Sequence, residues 1–242
     1  MIKLNNISIN FGEHSVLENI NLTIREHETL LIVGQSGSGK SVLVKIIDGL
    51  LQPASGTVHI DDDDIHKSKG QDELRIRQKL AMLFQSSALL DSLNVYQNIA
   101  LPLLEHTNFS DTEIAALVDE KLAMVGLNGI LKRLPSELSG GMQKRVALAR
   151  AIITNPRYII YDEPTTGLDP VIASEIVKLI KELHNQQKMA TIIVTHDLYA
   201  IQKISGRIVM LADRNIIFDG NLKEFKNAED SRIKRFIEAT DR

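Results

Sequence analysis

The run Gly34-Gln35-Ser36-Gly37-Ser38-Gly39-Lys40-Ser41 places glycines, a lysine and a hydroxyl in the spacing GxxxxGK[ST]. It follows the β-prone TLLIV and precedes the helix-like SVLVKIIDGL, the context that the chemistry of this pattern needs. Glycines let the backbone fold round a phosphate chain, so that successive N–H groups and a helix N-terminus point at anionic oxygens. Lys40 then neutralises β and γ phosphates, and the Ser41 hydroxyl takes a position on Mg²⁺. A glycine-rich turn with an incidental lysine would need neither the strand before it nor the helix after it. Much further along, the apolar run Tyr158 to Tyr161 ends in Asp162-Glu163. Asp162 is expected to hold Mg²⁺ through its water shell, and Glu163 to polarise a water attacking the γ-phosphate. Acids that end a strand often merely cap a turn, but the wide separation from Lys40 already disfavours small GTPases and compact kinases.

The segment Leu138-Ser139-Gly140-Gly141-Met142, continued by QKRVALARA, adds a second anion-seeking element. Ser139 is a good N-cap, and the glycine pair keeps the first turn bare, so the helix offers unpaired N–H groups and its dipole to an anion. This segment resembles the signature helix of the ABC ATPase family, whose usual form is LSGGQ. The resemblance implies an ATP- and Mg²⁺-dependent hydrolase working as a homodimer, with this helix facing the ATP held by the phosphate loop of the other subunit. It also implies further roles. Phe11 stands where the family puts an aromatic, most often tyrosine, to stack on adenine. Gln85 matches the glutamine that reaches Mg²⁺ and the attacking water. Asp169, in PTTGLDP, matches the acid of the loop crossing the dimer seam, and His196, in IIVTHD, the histidine that contacts the γ-phosphate. The likeness runs from the aromatic at residue 11 to about residue 220. It departs at Met142, where glutamine is usual, and at Asp62, where many relatives carry glycine.

To bring these residues together the chain needs strands alternating with helices, which argues an α/β fold with a parallel sheet. The β-rich runs are IKLNNISI, TLLIVG, TVHI, KLAMLFQ, RYIIYDE, ATIIVTHD, RIVMLAD and NIIFDG. The family resemblance makes this a P-loop NTPase: a RecA-like core over about 1–85 and 157–221, an N-terminal antiparallel β subdomain, and an inserted helical subdomain over about 86–156. Ile114, Leu117, Val118, Leu122 and Val125 carry helical spacing within that insert. The N-terminal run and the final hairpin, turned around Asp213 to Asn215, read as antiparallel additions. Residues 222–240 read as one amphipathic helix, and the acidic run Asp61 to Asp64 as a solvated turn.

Composition bounds the function. The 242 residues are 43% hydrophobic and 24% charged with a net charge of -3, so no basic field draws the chain to nucleic acid. There is no cysteine, which removes disulfides and thiolate chemistry and fits a reducing compartment. The start has no signal-like region, and apolar runs such as Leu30 to Val33 fall far short of the roughly 20 residues that span a bilayer. Membrane contact is therefore expected through a partner, and the family resemblance implies integral permease subunits at the cytoplasmic side of the inner membrane. Within the family, FQSSALLDSLNVYQNIALPLLEHT together with LPSELSGGMQKRVALARAI looks like the ATPase of Mla or Mce-type phospholipid transport systems, which implies an Mce-domain lipid-binding partner. The alternatives are another ABC importer or exporter, or an ABC ATPase that regulates cell-envelope enzymes through a membrane partner. Soluble ABC proteins of translation or repair are disfavoured by the single cassette and the lack of a basic tail.

Overall fold

The computed structural model describes residues 1–240. In chain order its elements are β1 (Ile2–Phe11), β2 (His14–Ile24), β3 (Thr29–Val33), α1 (Lys40–Ile47), β4 (Ser55–Ile60), β5 (Asp63–Asp64), α2 (Gln71–Arg77) and β6 (Leu80–Leu83). Helices then dominate: α3 (Val95–His106), α4 (Asp111–Met124), a 3-10 turn (Pro135–Glu137) and α5 (Gly140–Ile152). The chain returns through β7 (Tyr158–Asp162), α6 (Pro170–Gln187), β8 (Ala190–Val194), α7 (Leu198–Ile204), β9 (Arg207–Ala212), β10 (Asn215–Gly220), α8 (Leu222–Lys226) and α9 (Ser231–Thr240).

The larger sheet has the order β10-β9-β3-β8-β7-β6. From β9 to β6 every neighbour pair is parallel, and β10 adds antiparallel to β9. The strands read as unbroken apolar runs because both faces are covered. Side chains alternate between them: Leu30, Ile32, Tyr158, Ile160, Ile192 and Val194 face a core shared with the smaller sheet, whereas Leu31, Val33, Ile159, Tyr161 and Ile193 face a core shared with the helices. The smaller sheet, ordered β2-β1-β4-β5, is antiparallel throughout. α3 and α4 each start with a full capping box, on Asn94 with Gln97 and on Ser110 with Glu113, which fixes where the helical insert begins each turn.

The structure departs from the sequence pattern at several places. β2 is absent from the run of expected strands. Leu17 is out of phase with Ile20, Leu22 and Ile24 because the register slips beside Asn19, which sits at φ 50, so the alternation that would announce the strand breaks. The final hairpin turns at Asp213 and Arg214, both left-handed (φ 48 and 69), but only β10 is an antiparallel addition, since β9 belongs to the parallel sheet. The expected single helix over 222–240 is two. Asn227 caps the end of α8, and the Asp230 carboxylate accepts the Arg232 N–H at 2.8 Å to start α9 afresh. Nor is the acidic run simply solvated. Asp61 accepts from Lys79 (2.8 Å), Arg157 (2.9 Å) and the Tyr158 hydroxyl (2.7 Å), tying the turn after β4 to β7, while Asp63 and Asp64 form β5.

Candidate functional site

The carboxyl ends of β3, β8, β7 and β6 lie side by side, and each delivers a residue to one place, as expected where ligands bind an open parallel sheet. β3 runs into the phosphate loop. A Cβ on Gly34 (φ 150) would lie 2.4 Å from the Leu211 carbonyl oxygen, so the loop leaves the strand in a conformation open only to glycine. Gly39 (φ 95) opens α1 with no side-chain cap, leaving the helix's first turn to a ligand. Lys40 is buried, and its ammonium donates to the carbonyls of Gly34 and Gln35 at 2.9 Å each. Burial lowers its pKa, against the opposing pull of Glu163 and Asp162. The Ser41 hydroxyl donates to Asp162 Oδ1 at 3.1 Å, bringing together the two oxygen donors expected to serve Mg²⁺. Burial raises the Asp162 carboxyl, a cost to its charged form that a cation would relieve. Among the described residues no three His, Cys, Asp or Glu side chains form a metal cage. Mg²⁺ takes one or two protein oxygens and completes its shell from phosphates and water, and the Ser41 and Asp162 oxygens are of that kind and number.

Glu163 follows Asp162 with φ 51, a left-handed turn that costs a non-glycine residue on the order of 1–3 kcal/mol and redirects its side chain away from the strand's alternation. Its N–H donates to the Val194 carbonyl (3.0 Å), so the turn is pinned to β8. The carboxylate accepts from the Thr166 hydroxyl (3.1 Å) and meets His196 Nδ1 at 2.9 Å. His196 comes from the loop after β8, where Thr195 N–H is bonded to Ile32 and Asp197 caps α7. A pocket of about 670 Å³ is lined by Gly34 to Gly37, Gly39 to Ser41, Gln85, Glu163 and His196, together with Val16, Val42, Phe236 and Ala239. It thus gathers a glycine-rich loop at a helix N-terminus, a buried ammonium, and a carboxylate in contact with a histidine. Phe236 and Ala239 were not anticipated. The signal was the apolar spacing Ile233, Phe236 and Ile237 in α9, but nothing in sequence says which surface that face covers. Phe236 is buried and packs edge-on to Phe225, which closes one wall of the pocket.

The remaining expected residues lie apart from this pocket's lining. Ser139 caps α5, accepting the Met142 N–H at 3.3 Å, and Ser139 and Gly140 are exposed. The glycine pair divides its work. A Cβ on Gly140 would meet only Leu168 at 3.6 Å, whereas on Gly141 it would strike Ile172 Cγ2 at 2.6 Å, so Gly141 is required by α6 of the same chain. Asp169 spends one carboxylate oxygen capping α6, accepting from Val171 and Ile172 N–H at 3.1 Å each. Phe11, at the end of β1, is 49% exposed. Gln85, by contrast, does line the pocket; it lies beyond the end of β6, in a loop where Ser87 and Ala88 are left-handed (φ 63 and 47).

A family model described as ABC transporter matches residues 17–166. The chain is 36% identical over 98% of its length to the intermembrane phospholipid transport system ATP-binding protein MlaF of Haemophilus influenzae, covering 90% of that protein. It is 37% identical, again over 98% of its length, to the probable ribonucleotide transport ATP-binding protein Mkl of Mycobacterium tuberculosis, and spans 66% of that longer protein. Among solved structures, the dimeric post-hydrolysis state of the ATP-binding cassette MJ0796 bound to ADP and Pi is 35% identical, with a TM-score of 0.83 and coverage of 92% of this chain and 99% of that one. CbiO1 of Clostridium perfringens, part of the transporter complex CbiONQ, is 29% identical with a TM-score of 0.84, covering 98% of this chain and 94% of that one.

Proposed function

The chain belongs to the ABC transporter family, as the ATP-binding, ATP-hydrolysing cassette, and we propose that it drives phospholipid transport between the membranes of a diderm cell. The observation that carries the ATPase reading is the pocket in which Lys40, Ser41, Gln85, Glu163 and His196 converge. The lipid reading is supported by likeness over nearly the whole chain to MlaF, named for intermembrane phospholipid transport.

In this reading the phosphate loop, 34–41, wraps the β and γ phosphates, and Lys40 exchanges its loop carbonyls for phosphate oxygens. Ser41 and Asp162, with Gln85 from the same pocket, would hold Mg²⁺, which would supply neutralisation of phosphate charge. Glu163 holds the attacking water and takes up its proton, while His196 orients the carboxylate through Nδ1 and faces the γ-phosphate with the rest of its ring. The exposed Phe11 ring offers adenine a stacking face. Ser139, Gly140 and Gly141 open away from their own phosphate loop and complete the site of a second copy, with Asp169 at the seam. The homodimer so formed contains two composite sites. The helical insert over 86–156 carries the signature helix, and the core over 1–85 and 157–221 the phosphate loop.

Among the described residues no helix is long and apolar enough to cross a membrane. We place the chain on the cytoplasmic side of the inner membrane, held by integral permease subunits with an Mce-domain protein beyond them. Reconstitution of the chain with its co-purifying membrane subunits tests this. Fluorescent phospholipid should move between proteoliposomes and acceptor vesicles only with hydrolysable MgATP. A complex that hydrolyses ATP and moves no lipid would refute the substrate and leave the ATPase standing.

A further inference from the structure

Gln85 is useful to the pocket only if its backbone is held, and neither sheet nor helix holds it. β6 ends at Leu83, and α3 does not begin until Val95. Between them, the turn bond from Ser87 N–H to Phe84 gives little rigidity, and Ser87 and Ala88 sit in the left-handed region that disfavours side chains. The far part of the loop is held by Asn98 of α3, which accepts the Leu90 N–H (2.8 Å) and donates to the carbonyls of Leu90 (3.1 Å) and Leu93 (2.9 Å); what holds the part at Gln85 comes from α5. Lys144 is buried (4% exposed), and its ammonium donates to the carbonyl oxygens of Phe84, at 3.4 Å, and of Gln85 itself. Arg150, further along the helix, donates to the carbonyls of Ser87 (3.0 Å) and Ala88 (2.8 Å). Two cations of one helix thus satisfy carbonyls on both sides of Ser86.

A buried ammonium is costly, and desolvation lowers the pKa of Lys144 and Arg150 alike. Among the described residues no carboxylate is in hydrogen-bond contact with Lys144; the acid whose charge supports it is Asp162. A packed helix gains no stability by burying a lysine against main-chain oxygens when an apolar residue would fill the space. The burial makes sense as a tether, since a cation grips two carbonyls where a methyl group grips none. The tether joins the helix that begins with Ser139 to the residue that reaches the attacking water, so the two ends of the site move together.

We propose that Lys144 is a positioning residue of the ATPase, fixing the backbone of Gln85 to the signature helix, with Arg150 holding the adjoining Ser87 and Ala88. The inference rests on the ATPase reading above. It is tested in the complex with the membrane subunits by Lys144→Met, Lys144→Arg, Gln85→Ala and the double variant Lys144→Met/Gln85→Ala. In Lys144→Met, kcat should fall about 10- to 100-fold, as for other residues that orient a reacting group through a neighbour, with KM for ATP within about twofold of wild type. Lys144→Arg should restore at least half of the lost rate, and the double variant should be no slower than Gln85→Ala alone. An independent readout needs no nucleotide. In this cysteine-free chain, Ser87→Cys places one buried thiol in the loop, and its labelling should quicken about 10-fold when Lys144→Met is added and stay slow with Lys144→Arg. If Lys144→Met does not fold, Lys144→Gln keeps a shorter donor and should give an intermediate kcat and labelling rate. Multiplicative losses in the double variant, an unchanged labelling rate, or a kcat indifferent to Lys144 would overturn the tether while leaving the ATPase intact. A wild-type complex without ATP turnover, or an unaffected Gln85→Ala, would overturn the site reading and the tether with it.

Discussion

Replacing Glu163 by glutamine separates binding from chemistry at this site. The carboxylate accepts from Thr166 at 3.1 Å and meets His196 at 2.9 Å, and an amide of the same shape retains an oxygen for one of them. The left-handed backbone at φ 51 and its bond to Val194 do not involve the side chain. The fold should therefore lose no more than the net worth of one hydrogen bond, about 0.5–1.5 kcal/mol. The phosphate cradle, Lys40, Ser41 and Asp162 are untouched, so affinity for MgATP should be unchanged or higher. What is lost is the proton acceptor: an amide orients water but cannot take its proton. General-base catalysis is worth about 10²–10⁴-fold, or roughly 2.7–5.4 kcal/mol at 1.36 kcal/mol per decade. The assay is phosphate release under saturating MgATP, with calorimetric binding and light scattering on the same sample. Turnover should drop by two to four decades while ATP stays bound and dimers accumulate. Wild-type turnover at saturating ATP would show that Glu163 is not the base, and lost ATP binding would show that the side chain is part of the cradle instead.

Other substitutions probe the neighbouring parts. Lys40→Ala removes a charge that faces the phosphates before and during reaction, so calorimetry should show nucleotide affinity weakened roughly 10- to 150-fold, the worth of a charged hydrogen bond. The nucleotide-free protein should unfold at the same temperature or higher, because a desolvated ammonium is gone; unchanged affinity would remove the phosphate loop from the site. Gly141→Ala drives a methyl group to 2.6 Å from Ile172 Cγ2 and should cost about 1–3 kcal/mol of stability, whereas Gly140→Ala makes only an ordinary contact with Leu168 at 3.6 Å and should hold or raise the unfolding temperature. Equal melting temperatures for the two would show that α5 and α6 do not pack as described.

Residues whose chemistry is written in local spacing were legible in the sequence. The phosphate loop needs its strand and helix within a few residues of it, and these are where the pattern put them, after β3 and before α1. Asp162 and Glu163 end an apolar strand, so their place beside the loop followed from the parallel sheet, whose strands proved to be neighbours across β8. What stayed hidden depended on long-range packing. β2 escaped because a bulge broke its alternation, and α9 gave an apolar face without an address, so Phe236 in the pocket wall had no forerunner in the pattern. Gly141 reads as part of an anion-binding turn, and its close approach to Ile172 of the next helix is a long-range contact that the pattern does not announce. Nothing in the run QKRVALARA marks Lys144 as the cation buried against the loop of Gln85, since that contact joins residues 59 positions apart.

The central claim is that each ATP is held between the phosphate loop of one chain and the signature helix of its partner, and mixed dimers test it most directly. Ser139→Arg fills the exposed start of α5 with a bulky cation while leaving Lys40 sound, and Lys40→Ala disables the cradle while leaving Ser139 sound. Each variant alone, assembled with the membrane subunits, should lack ATPase activity, since every composite site contains one defect. Dimers holding one chain of each, isolated through two different affinity tags, contain one site with both defects and one with none. The account predicts that these mixed dimers regain a substantial part of the wild-type rate. Mixed dimers no more active than the parents would contradict the placement of Ser139 in the partner's site.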